Sequence, residues 1–182
     1  MPDRLYFTDD DDANALIASN PLALLIGFAL DQQVSVPTAF AGPRKLEQRL
    51  GKLDAADIAG MDPEKLGGVF REKPAVHRFP GNMAKRVQDL CIAIVSEYDG
   101  DASRVWSEAT DDADLRKRLK DLPGFGDMKV TSLGAVLAKR YGVVAAQGLV
   151  PSHPTLGDVD SPEALASFQA AKRAYKAKLK QQ

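Results

Sequence analysis

Leu122-Pro123-Gly124-Phe125-Gly126 lies between a basic helical run and a helical pattern that ends at Tyr141-Gly142. Two glycines around one apolar residue leave room only for a tight helix-to-helix hairpin. Glycine at 124 and 126 permits backbone angles closed to other residues and lets a second backbone come close. The helix that follows offers free N–H groups and a partial positive charge, a small anion site suited to a phosphate. Lys129, one turn in, adds a cation, and Asp127 opposes it. The plainer reading of the same residues is a helix corner turned by glycine.

Around this turn the helical signals dominate. Val87, Leu90, Cys91, Ile94, Val95 and Tyr98 form one apolar stripe at helical spacing. Val130, Leu133, Leu137 and Tyr141 draw a second. Leu165, Phe168, Tyr175 and Leu179 draw a third, with Ser161 as N-cap and Pro162 in the first turn. Leu22 to Leu30 is apolar all round and reads as a central buried helix. Shorter helices are expected near 10–18, 38–50, 55–59, 63–70 and 112–119. Strand evidence is thin, because no useful run alternates apolar and polar residues. The fold class is therefore all-α. Breaks are expected at Asn20-Pro21, Gly51, Lys73-Pro74, Pro80-Gly81 and Asp99-Gly100. Residues 142–160 are expected to form one long irregular connection.

A chain of 182 residues fits one domain, or two small lobes sharing a core. The net charge of −1 and pI near 6.1 count against a general nucleic-acid coat. Charge is uneven, however. Asp9 to Asp12 load the start with acid, read as helix caps or, less readily, as a cation site. Lys172, Arg173, Lys176, Lys178 and Lys180 load the end with base, either for a DNA backbone or as a solvated face. Cys91 stands alone, so the chain forms no internal disulfide and holds no cysteine-bound iron–sulfur cluster. With only His77 and His153, a histidine-rich zinc site is not expected. The opening residues carry no signal-peptide pattern, and a cytoplasmic location without membrane contact is the expectation.

Leu122-Pro-Gly-Phe-Gly-Asp-Met-Lys129 resembles the hairpin of the helix-hairpin-helix (HhH-GPD) DNA glycosylase superfamily. Leu25-Ile-Gly-Phe-Ala-Leu-Asp-Gln-Gln-Val-Ser-Val36 resembles the Gln-Gln-Ile-Ser-Val segment of its alkylbase-glycosylase branch. Between them, Met83-Ala-Lys-Arg-Val-Gln-Asp-Leu90 resembles a helix with a Lys/Arg-rich start. The likeness runs over residues 20 to 160 and is strongest to a small bacterial group of HhH-GPD-type base excision repair proteins. It implies a two-lobed helical fold with a central cleft. Its partner would be double-stranded DNA containing damaged bases, bound by a monomer. Leu122, Pro123, Gly124, Phe125, Gly126 and Lys129 would hold one strand. A monovalent cation on hairpin carbonyls would assist, with no other cofactor and no side-chain metal site. Gln32 and Gln33 would flank the gap left by an extruded nucleotide; read without the family, their amides are better explained as caps of the C-terminus of the buried helix.

Two positions depart from that pattern. The lysine nucleophile of bifunctional members is replaced by Met128, and Lys129 lies about 100° further round the helix. Monofunctional hydrolysis is therefore expected. The Pro-x-Asp-Asp-Leu stretch of the alkylbase branch is matched here only by Pro151-Ser152-His153-Pro154-Thr155-Leu156. Asp158 and His153 are the remaining catalytic candidates, the first as carboxylate and the second as acid or base. The expected function is a monofunctional base excision repair glycosylase. The alternatives are a catalytically inactive glycosylase-like protein that binds lesions, and a helical adaptor using the hairpin as a protein contact.

Overall fold

A computed structural model describes residues 1–181. Its centre is α2, Pro21–Leu30, a helix without one charged side chain and buried throughout residues 22–30. Asn20 starts it by accepting from the amides of Leu22 and Ala23, at 3.0 and 3.2 Å. Pro21 takes the first turn, where a missing N–H costs nothing. α1, Asp11–Ser19, meets α2 at 114° and is capped by Asp10. No single helix is long and apolar enough to cross a bilayer among the described residues.

α3, Val36–Leu50, packs on α2 more closely than any other element. The contact depends on Gly27: a Cβ there would stand 2.4 Å from the Phe40 ring. Phe40 in turn meets Phe7 and Phe28 edge-on, with both centroid distances 5.0 Å. α4, Ala55–Ala59, and α5, Pro63–Arg71, lie against α6, Pro80–Tyr98. α7, Arg104–Ser107, then leads through α8, Asp112–Lys120, to α9, Asp127–Arg140. α10, Pro162–Lys180, ends the described fold. No strand occurs among the described residues, so the fold is all-α as expected.

The structure corrects three readings. Pro80-Gly81 does not break the chain; it opens α6, two turns before the apolar stripe begins. Residues 142–160 are not one irregular connection, since 3₁₀ turns cover 144–149 and 156–158 and both pack on α9. Glycines permit this: Leu149 covers Gly134, and a Cβ on Gly157 would lie 2.7 Å from the Ala135 carbonyl oxygen. Finally, the third stripe is only half used. Leu165 is buried and Phe168 half-buried, but Tyr175 and Leu179 are 65% and 53% exposed. Nothing described packs over the last turns of α10, where residues 170–181 are all exposed.

Gly27→Ala is expected to cost about 1–3 kcal/mol through overpacking against Phe40. In urea denaturation, Gly27→Ala combined with Phe40→Leu should cost less than the sum of the two single changes, because the smaller side chain frees the space.

Candidate functional site

A buried helix must still satisfy the carbonyls of its last turn. At the end of α2 that need brings three polar side chains together. The Lys129 ammonium donates to the Ala29 carbonyl at 3.1 Å. His77, 2% exposed, places Nε2 at 3.1 Å from the Leu30 carbonyl and 3.0 Å from that of Gln32. Its Nδ1 accepts from the Phe79 amide at 2.9 Å, so the neutral ring carries its proton on Nε2 and donates from there. Arg86, from α6, donates to the Gln32 side-chain oxygen.

The turn after α2 is therefore anchored at Gln32 and free at Gln33. Gln33 is exposed, makes no hydrogen bond through its side chain among the described residues, and has φ of 59°, a left-handed backbone seldom adopted outside glycine. Neither glutamine caps α2 with its side chain; Asp31 closes the helix through its own amide to the Phe28 carbonyl. The cap alternative for Gln32 and Gln33 is thereby replaced by a turn held from outside.

The hairpin faces this turn. Leu122 and Phe125 are buried and fasten it to the core. Pro123 is half-buried, and Gly124 and Gly126 are exposed. Gly124 has φ of +82°, and a Cβ on it would meet Arg86 Cδ at 2.8 Å. Arg86 thus lies over Gly124 while holding Gln32. Gly126 has an ordinary φ of −86° and open space where a Cβ would be. Nothing among the described residues requires glycine at 126, so the room there is open.

α9 begins at Gly126 with no side-chain cap. α6 and α7 also lack such a cap, whereas α1, α2, α3, α4, α5, α8 and α10 each open on an Asp, Asn or Ser side chain that accepts first-turn amides. The amides of Asp127, Met128 and Lys129 are left free for an outside acceptor. Asp127 is exposed and pairs with Lys120 at 3.0 Å, which reduces its repulsion of an anion. Met128 points away and is 88% exposed.

Burial pushes the Lys129 ammonium down to about 8, with help from Arg86 and against the pull of Asp31. Asp31 is raised above the usual carboxylate range by burial, and Lys172, Lys129 and Lys176 oppose that rise. Asp31 is therefore within electrostatic reach of both Lys129 and the basic residues of α10. The quoted Asp-Gln-Gln stretch contained it, but its role depends on Lys172 and Lys176, distant in sequence. Arg86 was within reach of sequence reasoning through its basic block. His77 carried no signal at all.

The structure does not bring Asp158 or His153 to the hairpin. Asp158 accepts from the Thr155 amide at 2.9 Å and from Lys139. Burial would raise it, but these two donors outweigh that and hold it below its ordinary value. Lys139 sits twelve residues along α9 from Asp127, about 18 Å away. His153 is exposed, with Nδ1 at 3.2 Å from its neighbour Pro154's carbonyl.

A family model described as "HhH-GPD superfamily base excision DNA repair protein" matches residues 26–148, well over half of the chain. The chain belongs to the HhH-GPD superfamily. The match includes the turn, Arg86 and the hairpin, and stops before α10. No curated protein sequence and no solved structure is detectably similar to the chain. Membership makes DNA the partner and base excision repair the setting.

His77 gives a pH test of how the turn is built. Burial lowers its pKa from 6.5, so the folded state keeps it neutral while the unfolded chain takes up a proton. Stability should fall as pH drops below about 6.5, because the unfolded state then binds more protons. Urea titrations from pH 7.5 to 5.5 should show this slope in the wild type and a reduced one in His77→Asn.

Proposed function

We propose that the protein is a monofunctional DNA glycosylase that hydrolyses the N-glycosidic bond of a damaged base turned out of duplex DNA. The observation that carries this reading is the uncapped start of α9 beside a turn held open by Arg86 and His77. A phosphodiester fits the Asp127–Lys129 amides without displacing any internal acceptor. Gly126 leaves the space for it, and Arg86 and Lys129 supply charge. Gln33, unbonded and held in a strained backbone, flanks the emptied position in the duplex. Extrusion costs a few kcal/mol, least for a poorly paired base, and so favours lesions. The cleft between lobes that the family implies would receive the extruded nucleotide.

Met128 in place of a lysine supports hydrolysis without a covalent enzyme–sugar intermediate. Asp31 stands in the turn after α2 that the hairpin faces, and burial makes it a stronger base than an exposed carboxylate such as Asp127. In this reading it takes a proton from a water that attacks C1′. The base leaves with the bonding electron pair, and the proton returns to it through solvent. The tethering of Asp158 and the absence of acid in residues 151–156 favour a second reading, lesion binding without hydrolysis.

Duplexes carrying one alkylated or deaminated base separate the two. Abasic product, revealed by alkaline strand scission, supports the glycosylase; shifted but intact DNA supports the binder. Asp31→Asn should lower product formation by about 10²–10⁴-fold, the usual contribution of a positioned base, with binding retained. An unchanged rate would remove Asp31 from the reaction. Gly126→Leu should fold normally and bind at least about tenfold more weakly.

Lys129 adds a pH signature. Free protein loses this charge above about 8, so affinity for DNA should fall by up to tenfold per pH unit from there. Lys129→Arg should flatten that fall, as followed by fluorescence anisotropy between pH 7 and 9.5.

A further inference from the structure

A groove of about 520 Å³ lies beside the Gln32-Gln33 turn and is lined by no hairpin residue. One wall is the turn itself, with Gln33 and Ser35; the other is α10, with Lys172, Arg173 and Lys176; Arg78 lines it as well. We propose that this groove is a second phosphodiester site, seating the DNA backbone where it continues beyond the hairpin. The inference rests on the DNA-binding reading above and places a contact outside the family-matched residues 26–148.

Three observations point the same way. First, no acidic side chain lines the groove, and none of its four cations has a carboxylate partner among the described residues. Elsewhere Lys52, Lys85, Lys117, Lys120 and Lys139 each pair with an acid, while Lys45, Lys65 and Lys73 stand singly among the described residues; in the groove four unpaired cations are gathered on one surface. Second, the fold itself does not use this part of α10. Every residue from 170 to 181 is exposed, yet the helix continues to Lys180. Gln169, Lys172, Arg173 and Lys176 recur at i, i+3, i+4 and i+7, which puts all four on the face toward the groove. Third, Asp31 senses Lys129 from the hairpin side and Lys172 and Lys176 from the groove side. The hairpin lysine and the α10 lysines are thus within Coulomb range of one carboxylate, with Gln32 held by Arg86 and Gln33 lining the groove. A duplex seated on the hairpin passes over the turn and meets the groove. Tyr175 and Leu179 are the only large apolar side chains on the exposed half of α10, too few for the broad apolar face of a membrane-surface helix.

The test is the salt dependence of binding to a labelled duplex with a central tetrahydrofuran abasic site. Wild type is compared with a Lys172→Ala/Arg173→Ala/Lys176→Ala triple variant, a Lys52→Ala/Lys65→Ala/Lys73→Ala control of equal charge loss, and Gly126→Leu. The groove variant should bind about 10–100-fold more weakly at ~100 mM salt. Its slope of log K against log salt should be shallower by about 2–3, since each phosphate contact contributes about 0.9. Its thermal midpoint should not move, because the three side chains are exposed. The control should stay within about twofold of wild type. An unchanged slope in the groove variant, or an equal loss in the control, overturns the proposal while leaving the hairpin reading to Gly126→Leu. If Gly126→Leu binds like wild type but the groove variant does not, the groove stands and the hairpin reading fails. Absence of wild-type binding overturns both. Groove-dependent binding to phosphatidylserine vesicles, with DNA affinity unaffected, also overturns it.

Discussion

The end of a wholly buried helix is the constraint on which this molecule turns. α2 gains its stability by hiding every face, and so it cannot end in water. Its last carbonyls are the negative pole of a helix dipole and need donors. Lys129 and His77 provide them, and Arg86 fixes the residue just beyond. Each reaches α2 from another part of the chain. Satisfying the buried helix therefore assembles the same cations that a phosphate requires.

This explains how a protein of net charge −1 presents a basic face. Much of its surface charge is cancelled locally, as in the Lys85–Asp89 and Lys117–Asp121 pairs one helical turn apart. Such exposed pairs add little stability but remove field. Around the turn the cations answer instead to helix carbonyls, to an amide side chain, or to no described partner. Of the acids nearby, Asp127 is paired with Lys120, and Asp31 is half-buried, within reach of Lys172, Lys129 and Lys176.

Much of the helical layout was legible from local pattern. α4 begins and ends at the expected residues, and α1, α2, α5, α8 and α9 agree to within a residue or so, because caps and apolar spacing are local signals. α7 was missed: four residues do not make a period. The tail of α10 was misjudged because Tyr175 and Leu179 have the right spacing for a core, and spacing does not say whether anything lies opposite. In the site, Gly124 was legible and its pairing with Arg86 was not. Its positive φ follows from the turn, but the Arg86 side chain above it lies thirty-eight residues earlier in sequence.

The amino-acid sequence by itself determined an all-α chain with a central apolar helix, and a glycine hairpin leading into a later helix. These are properties of neighbouring residues, fixed by period, capping and backbone freedom. Only the tertiary structure decided which charged groups meet. It tied Asp158 to Lys139 at the far end of α9, brought Asp31 within reach of Lys129 and Lys172, and left α10 lining an open groove. A carboxylate's surroundings come from chain segments far apart in sequence, and burial with those neighbours, rather than residue type, sets its basicity.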